Sequence, residues 1–324
     1  MAKNVVILGI GSYLPKKIMS NHDLSKMVDT SDEWIQERTG IKKRHIADDN
    51  ELTSDLGFQA AKQALEKANI ATKEIDLIIV ATTTPDQIFP ATAAIIQDKL
   101  GIRKGAAFDV QAVCTGFVYA LSIANSMMQA GLGTKALVIG AETLSRIMDW
   151  EDRNSCVLFG DGAGAVVLGI EEGDASFASS GIKASHLRCD GKYRDKLFVD
   201  GGPSMKGGNK FIHMAGREVF RHAVQNISES IEKLLEENNV KIEEIDCFVP
   251  HQANKRILDM VAKKLGLADE KLVLTVGEHA NTSAASVPLA LDWAMENKKI
   301  SKGSLVLIEA MGGGFTWGSC LFRL

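Results

Sequence analysis

Apolar residues are arranged along this chain in two alternating patterns. Short, almost continuous apolar runs, such as LIIV at 77–80 and ALVIG at 136–140, are bounded by polar turns. Between them lie longer stretches with apolar residues three and four positions apart, such as AAKQALEKANI at 60–70. The short runs are typical of strands covered on both faces, and the longer stretches are typical of amphipathic helices. Helices alternating with buried strands predict a layered α/β protein.

The pattern occurs twice. Residues 60–80 and 230–249 each contain an amphipathic helix, a polar turn, the letters EID and an apolar strand, and Asp76 and Asp246 are 170 positions apart (246 − 76). Four further segments match in the same order: IIQDKLGI (95–102) with MVAKKLGL (260–267), FDV before Cys114 with LTV before Asn281, ALVIGAE (136–142) with SLVLIEA (304–310), and GAGAVVLGI (162–170) with FTWGSCLFRL (315–324). We therefore predict two duplicated βαβαβαββ halves, 1–172 and 173–324. The polar, glycine-rich stretch 171–210 is expected to form their junction and a surface excursion.

The repeat predicts that three polar residues lie close together in the folded protein. Cys114 and Asn281 follow matching short strands and occupy nearly equivalent positions, and His251 follows the strand that matches the one ending at Val80. All three lie at the C-terminal ends of strands, where α/β proteins form ligand sites. Because equivalent loops of a duplicated unit meet near its pseudo-twofold axis, we expect these three side chains to converge.

Cys114 lies in DVQAVCTGFVYAL, where a strand ends and an apolar helix begins. The free N–H groups and the dipole of a helix N-terminus favour a thiolate, and small neighbours allow backbone N–H groups to form an oxyanion hole. The alternative is a buried structural cysteine, the commoner role of an isolated free cysteine. The strand–cysteine–helix arrangement favours a nucleophile.

His251 and Asn281 could each have a purely structural role instead. His251 follows a strand and a proline in CFVPHQANKRIL, an unusual place for core packing, while Asn254 is placed to cap the next helix. Asn281, in HANTSAASVP, could simply cap a helix. The glycine-rich segment MGGGFTWG (311–318) predicts either a tight turn or a close approach of the backbone to a ligand. Neither GIGSYL (9–14) nor FGDGAGA (159–165) fits a nucleotide-binding loop, because the first runs into a proline and the second lacks Lys-Ser/Thr.

Composition narrows the class of protein. The 324 residues are 45% hydrophobic and 24% charged, which suits a large packed core, and a net charge of −4 gives no reason to expect nucleic acid. Five scattered cysteines without CxxC spacing indicate neither a disulfide framework nor a metal site. The first apolar run is too short for a signal peptide or a membrane span. We therefore expect a cytoplasmic protein with reduced thiols and no membrane association.

Six segments spread over essentially the whole chain resemble the β-ketoacyl-acyl-carrier-protein synthase III family, the initiating condensing enzymes of bacterial fatty-acid synthesis. They are TSDEWIQERTGI, DVQAVCTGF, DRNSCVLFGDGAGA, HQANKRI, NTSAASVP and EAMGGGFTWGS. The resemblance implies a thiolase-like α/β fold with two halves packed as a five-layer αβαβα sandwich. It also implies a catalytic triad of Cys114, His251 and Asn281. Elongating synthases use two histidines and hydroxymethylglutaryl-CoA synthases a glutamate, so Asn281 indicates the initiating class or its longer plant-type polyketide relatives.

The same resemblance implies a reaction. Cys114 attacks acetyl-CoA and becomes acetylated, with the backbone N–H groups of Cys114 and Gly313 as the oxyanion hole. Malonyl-acyl-carrier protein follows, and neutral His251 together with Asn281 donates hydrogen bonds to its thioester oxygen as CO₂ leaves. The resulting carbanion attacks the acetyl group. Acetyl-CoA is a substrate here, and neither a metal nor a bound organic cofactor is implied.

Binding residues are implied as well. Trp34 and Arg153 resemble the pair that sandwiches the adenine of CoA. The other implied CoA contacts are Arg38, Gly216, Asn254 and Arg256. The basic residues that resemble the carrier-protein site are Arg221, Arg256, Lys263 and Lys264. Without the resemblance, the simpler interpretation is that Trp34 is a half-buried helix residue and that the arginines belong to a solvated face. Phe89 resembles the residue that walls the acyl pocket across a subunit interface, so a homodimer is expected.

Several alternatives stay open. A relative with the same triad would condense or transfer a different acyl group in secondary metabolism. A non-catalytic CoA- or carrier-protein-binding module is disfavoured by the intact triad, and a papain-like protease leaves the repeat unexplained. The family usually has glycine at the position of Ala280, so we expect strain of roughly 1 kcal/mol there if φ is positive. Primer length is not determined, because each methylene changes binding by only ~1 kcal/mol.

Overall fold

The structure is a computed structural model that describes residues 2–174 and 176–324. Its strands are β1 Ala2–Tyr13, β2 Lys17–Ser20, β3 Lys43–Ile46, β4 Leu77–Ala81, β5 Ala106–Val110, β6 Lys135–Thr143, β7 Asp161–Gly173, β8 Gly181–Cys189, β9 Leu197–Val199, β10 Ile212–Met214, β11 Cys247–Pro250, β12 Leu305–Gly312 and β13 Thr316–Arg323. Its α-helices are α1 Asn21–Leu24, α2 Asp32–Thr39, α3 Thr53–Ala68, α4 Thr92–Lys99, α5 Gly116–Gln129, α6 Gly216–Glu237, α7 Lys255–Leu265, α8 Val276–His279 and α9 Ser286–Glu296. Short 3-10 turns, Val113–Thr115 and Ser283–Ala285, lead directly into α5 and α9.

Two sheets organise the chain. The strand order is β1-β7-β6-β4-β5 in the first sheet and β11-β12-β13-β8 in the second. In the first sheet β4 is parallel to β5 and β6, and in the second β11 is parallel to β12. Every residue of β4 is buried, as its uninterrupted apolar run predicts. Within the described residues, no helix is long and apolar enough to cross a bilayer.

Helices and sheets alternate in five layers. Helices α3 and α4 cover the outer face of the first sheet, in a core that contains Ile78. Helices α5 and α9 lie between the sheets, where Phe117 of α5 and Val306 of β12 belong to one cluster. Helices α6 and α7 cover the outer face of the second sheet, with Leu258 and Leu307 in their core. The predicted αβαβα arrangement is confirmed.

The repeated EID letters have one structural role in both halves. Asp76 Oδ2 accepts a hydrogen bond from the backbone N–H of Lys135 at 3.4 Å, and Asp246 Oδ2 accepts one from Leu305 at 2.7 Å. The backbone N–H of each aspartate donates back to the carbonyl oxygen of the same partner at 2.9 Å. Each aspartate therefore fixes the register of the next parallel strand. Lys135 and Leu305 are equivalent, so 136–142 corresponds to 306–312, two residues beyond the match read from the sequence.

The strand expected at LTV (274–276) is not formed. The second sheet ends in a single bridge between Phe248 and Leu272, and residue 276 already begins α8. The physical reason is Gln252, whose Oε1 accepts hydrogen bonds from the N–H groups of Thr275 at 2.7 Å and Val276 at 3.0 Å. A strand would offer those groups to a neighbour. The main sheet of the second half thus has four strands, one fewer than the predicted βαβαβαββ pattern provides.

The stretch 171–210 is more than a junction and surface excursion. It contains β8, which pairs with β13 inside the second sheet. It also contains β9, which pairs with β10 in a hairpin. The polar and glycine-rich composition of the stretch concealed both strands.

Two glycines let α9 approach the first sheet closely. A Cβ on Gly140 would lie 2.3 Å from the carbonyl oxygen of Ala284, and a Cβ on Gly164 would lie 2.7 Å from the backbone nitrogen of Leu289. Both distances are far shorter than any van der Waals contact. The turn before α9 therefore packs directly on the backbone of β6, and α9 itself packs directly on the backbone of β7.

We expect Gly140→Ala to lower the free energy of unfolding by roughly 1–3 kcal/mol, because the added methyl group would force the backbone at Ala284 away from β6. Urea unfolding followed by circular dichroism measures the change. Gly191→Ala is the matched control, since no atom lies within 4 Å of a Cβ at that position. The control should stay within about 0.5 kcal/mol of the parent chain. Equal effects of the two substitutions would contradict the packing argument.

Candidate active site

Cys114 lies in the 3-10 turn between β5 and α5, with only 4% of its surface exposed. The turn is tied to the glycine-rich segment 312–316. Thr115 Oγ1 donates to the carbonyl of Thr316 at 3.0 Å, and Thr316 Oγ1 donates to the carbonyl of Ala112 at 2.9 Å. A Cβ on Gly312 would lie 2.6 Å from the backbone nitrogen of Cys114, so only glycine allows this approach.

The two 3-10 turns share an unusual backbone. Val113 has a φ of 50° and Ser283 a φ of 48°, and each is the first residue of its turn. A β-branched residue in the left-handed region is a real outlier that costs of order 1–3 kcal/mol. The repeat aligns the turns with the same offset of 170 (283 − 113). Asn281 therefore corresponds to Gln111, three residues before Cys114, rather than to the cysteine itself.

His251 follows β11 and is 4% exposed. Its backbone N–H donates to the carbonyl of Glu309 at 2.8 Å, which continues the pairing of β11 with β12. Its ring atom Nδ1 lies 2.5 Å from Ser286 Oγ at the start of α9. The next residue, Gln252, forms four side-chain hydrogen bonds that fix the turn after the strand. The imidazole orientation is therefore determined from both sides.

Asn281 is held by the segment FGDGAGA, which has a structural role here. The backbone N–H of Asn281 donates to Leu158, and its carbonyl accepts from Gly160, both at 3.0 Å. Its side-chain Oδ1 accepts from the backbone N–H of Ser283 at 2.9 Å. Because Oδ1 is already engaged, the amide Nδ2 is the group left to donate into the site. A Cβ on Gly160 would lie 3.2 Å from the carbonyl oxygen of His279, so a side chain at this position would have to displace its neighbours slightly.

Cys114 lines two cavities. The access cavity, about 160 Å³, runs from Gly216 and Asn254 to Cys114, His251 and Asn281. The inner cavity, about 190 Å³, shares Cys114, Phe159 and Leu197 with it. Its apolar lining is contributed mainly by Leu144, Ile147, Phe159, Phe198, Val199 and Ile212. Cys114, His251 and Asn281 all line the access cavity, so the structure brings the three predicted residues together. The β9–β10 hairpin contributes part of the wall of the inner cavity.

Desolvation sets the protonation states at the site. Burial lowers the pKa of His251 to about 3, so its imidazole is neutral near pH 7. Burial also raises the pKa of Cys114 to about 12, against a smaller lowering by the nearby Ser283 hydroxyl. The thiol is therefore protonated in this environment, and the expectation that the helix N-terminus would favour a thiolate is outweighed by burial. Within the described residues, no group of three or more His, Cys, Asp or Glu lies close enough to hold a metal ion.

The residues implied for CoA binding fall into two linked groups. Gly216 and Asn254 line the access cavity. At the surface, the guanidinium carbons of Arg38 and Arg153 lie 4.9 and 5.2 Å from the centroid of the Trp34 ring. Asn254 connects the groups, because its Nδ2 donates to the carbonyl of Arg38 at 3.1 Å. Asn254 also caps α7 through a hydrogen bond from the N–H of Arg256, as predicted.

The remaining predicted residues lie at the surface. Arg221 on α6 and Arg256, Lys263 and Lys264 on α7 are exposed. Phe89 is 81% exposed, and neighbouring Ile88 is 74% exposed. Large apolar side chains with so little cover are typical of a surface that contacts another protein.

Two buried glutamates were missed by the sequence reasoning. Glu142 accepts hydrogen bonds from the hydroxyls of Thr83 and Thr84 at 3.0 and 2.7 Å. Glu309 has no side-chain hydrogen-bond partner among the described residues, and burial raises its pKa well above the usual value. A charged residue at the end of an otherwise apolar strand, as in GAE and IEA, was the available signal, because glutamate is almost never buried without a special environment.

Comparison with known proteins gives consistent matches. Family models described as 3-oxoacyl-[acyl-carrier-protein (ACP)] synthase III and its C-terminal part match residues 108–191 and 235–324. The chain is 58% identical to β-ketoacyl-[acyl-carrier-protein] synthase III of Hyphomonas neptunium over 100% of both chains. It is 57% identical to the protein of that name from Chelativorans sp. over 98% of each chain.

Solved structures agree with these matches. The 3-oxoacyl-[acyl-carrier-protein] synthase III of Aquifex aeolicus superimposes with a TM-score of 0.93 at 46% identity, over 99% of this chain and 100% of that one. OleA of Xanthomonas campestris has the same fold, with a TM-score of 0.87 at 22% identity over 99% of this chain and 98% of that one.

Ala280, just before Asn281, has φ 57° and ψ −162°. This region is occupied almost only by glycine. We expect Ala280→Gly to raise the free energy of unfolding by about 1 kcal/mol, because relief of strain exceeds the added chain entropy of glycine. Chemical denaturation measures it. Ala285→Gly, at an ordinary helical φ of −75°, is the control and should be destabilising. A loss of stability in Ala280→Gly would refute the strain assignment.

Proposed function

The chain belongs to the β-ketoacyl-acyl-carrier-protein synthase III family of condensing acyltransferases, and from that premise we propose a reaction through an acyl group on Cys114. Acetyl-CoA acetylates the thiol and releases CoA. Malonyl-acyl-carrier protein then loses CO₂, and its carbanion attacks the acetyl thioester. The products are acetoacetyl-acyl-carrier protein, CO₂ and free enzyme, which initiates fatty-acid synthesis.

The observation that carries this proposal is that Cys114 lines two cavities, only one of which also contains His251 and Asn281. The access cavity contains His251 and Asn281, and the inner cavity is mainly apolar. A thioester that enters through the first cavity would place its carbonyl near the polar pair. The short acyl chain would lie in the second cavity. Two thioester substrates can therefore use the same path in turn.

Neutral donors suit the decarboxylation step. Loss of CO₂ moves negative charge onto the thioester oxygen, and preorganised hydrogen-bond donors in a water-poor site stabilise such charge. The His251 imidazole is neutral because burial lowers its pKa to about 3. Asn281 presents an amide whose oxygen is already engaged by Ser283. For the acylation step, we propose the N–H groups of Cys114 and Gly313 as the oxyanion hole.

Substrate recognition is proposed at the mouth of the access cavity. Trp34 and Arg153 would stack on the adenine of CoA, since an indole and a guanidinium both offer flat faces. The further contacts to CoA are proposed at Arg38, Gly216, Asn254 and Arg256. Acidic carrier proteins would be attracted to the exposed cations of α6 and α7, which are Arg221, Arg256, Lys263 and Lys264. Neither partner requires a resident metal or organic cofactor in this scheme.

We propose a cytoplasmic homodimer of two-part subunits. Exposed Ile88 and Phe89 come shortly before Thr92, whose backbone N–H donates to Asp109 of β5 at 2.7 Å. Strand β5 is paired on one side only in the first sheet. An open strand edge beside apolar side chains favours contact with a second copy, where Phe89 would wall the partner's acyl pocket. The halves are proposed to divide as 1–172 and 173–324. The five free cysteines fit a reducing compartment.

Acetylation followed by mass spectrometry tests the proposal. The parent protein should gain one acetyl group on Cys114 from acetyl-CoA, and lose it when malonyl-acyl-carrier protein is added. Cys114→Ala should gain none. His251→Ala and Asn281→Ala should still be acetylated, but release CO₂ from malonyl-acyl-carrier protein at least about a hundredfold more slowly, because each loses a donor to the enolate.

The same experiment has a matched control. Cys156→Ala removes another buried thiol and should leave acetylation unchanged, since Cys156 lines neither cavity at Cys114. Labelling only by a longer or branched acyl-CoA would move the function to a different primer. If no acyl-CoA labels Cys114, the proposed reaction is wrong.

The pH dependence of decarboxylation tests the neutral imidazole. Burial lowers the pKa of His251 to about 3, so the neutral form persists as the pH falls through the usual histidine range. At saturating malonyl-acyl-carrier protein, we expect no inflection near about pH 6.5 between roughly pH 5.5 and 8. Release of labelled CO₂ measures the rate. A loss of rate with a midpoint near pH 6.5 that is absent from the acetylation step would contradict this prediction.

A further inference from the structure

Ser286 forms an unusual contact for the first residue of a helix. It is 2% exposed, and its Oγ lies 2.5 Å from Nδ1 of His251. The same Oγ accepts a hydrogen bond from the backbone N–H of Gln252 at 3.3 Å. One hydroxyl thus contacts both the imidazole and the backbone of the residue that follows it.

These contacts determine where the imidazole proton resides. A neutral imidazole carries one proton, on Nδ1 or on Nε2. With the proton on Nδ1, Ser286 Oγ would accept two hydrogen bonds, and its own buried hydroxyl proton would have no acceptor among the described residues. An unsatisfied buried donor costs about 1–3 kcal/mol. With the proton on Nε2, the hydroxyl donates to Nδ1 while accepting from Gln252, so Ser286 Oγ and Nδ1 are both paired.

We propose that Ser286 is a positioning residue that holds His251 in the tautomer protonated on Nε2. This inference rests on the proposed role of His251 as a hydrogen-bond donor to the malonyl thioester. Nδ1 is occupied by Ser286, so Nε2 is the nitrogen left to face the access cavity. Only the Nε2–H tautomer can donate there, and the opposite tautomer would place a lone pair against the developing enolate charge.

The repeat supplies an independent line of support. With the offset of 170, Ala81 corresponds to His251 (251 − 81), and Gly116 corresponds to Ser286 (286 − 116). In the first half these two positions also touch, since a Cβ on Gly116 would lie 3.1 Å from that of Ala81. The same backbone contact thus brings inert residues together in one half and a serine–histidine pair in the other.

The test compares Ser286→Ala with Ser286→Thr. The alanine variant should be acetylated on Cys114 within about twofold of the parent rate, but should release CO₂ from malonyl-acyl-carrier protein roughly tenfold to hundredfold more slowly. The threonine variant keeps the hydroxyl and should recover most of the rate. Ser230→Ala is the matched control, because Ser230 Oγ lies 2.9 Å from Nδ1 of buried His186, a pair that lines neither cavity at Cys114. It should leave both steps unchanged.

Nitrogen-15 NMR of the seven histidines reads the tautomer directly, with the His251 signals assigned by their loss in His251→Ala. The parent protein should show a protonated Nε2 and an unprotonated Nδ1, and Ser286→Ala should shift this distribution. A protonated Nδ1 in the parent would overturn the proposal even if the alanine variant failed to fold. Unchanged decarboxylation in Ser286→Ala, or no rescue by threonine, would overturn it as well. Unchanged decarboxylation in His251→Ala would instead refute the proposed function.

Discussion

The burial of two tight turns between two sheets is the constraint on which the rest of the site depends. Residues 113–115 and 283–285 each begin with a left-handed residue and lead into a helix of the central layer. Because α5 and α9 are covered by sheets on both sides, Cys114, Thr115 and residues 283–285 at their N-termini are almost fully buried. Gly140 makes this possible, since a side chain there would displace the turn before α9. Every group placed on these turns therefore loses most of its hydration.

Desolvation then decides which chemistry is available. Burial favours the uncharged forms of the groups at the site, because it lowers the pKa of His251 and raises the pKa values of Cys114 and Glu309. A site of neutral donors gains most when negative charge appears in the substrate, because the low local dielectric strengthens each hydrogen bond to it. The formal charges are kept at the rim, where cations of α6 and α7 remain solvated. In the proposed function, the groups that would attract substrates and those that would stabilise the reaction therefore lie in different places.

Periodicity and repetition predicted the layers and the three residues at the centre, because both depend on local apolar pattern and on the offset between the halves. They could not predict structure set by a single long-range side chain. Gln252 removes the strand expected at 274–276 by accepting two of its N–H groups. The β9–β10 hairpin lies in a glycine-rich stretch without periodicity. Glu142 is stabilised by threonines about sixty positions away, a contact that no local pattern records.

The offset of 170 also explains why the site needs both halves. Duplication repeats the backbone, including the left-handed residue, the 3-10 turn and the helix start. The side chains on that backbone have diverged in opposite directions. The first half keeps Cys114 where the second has Ala284, and the second has Asn281 where the first has Gln111. A thiol that acts as a nucleophile needs space and hydrogen-bond donors around it. The half that carries the proposed nucleophile therefore keeps small neighbours, while the other half carries the polar groups of the access cavity.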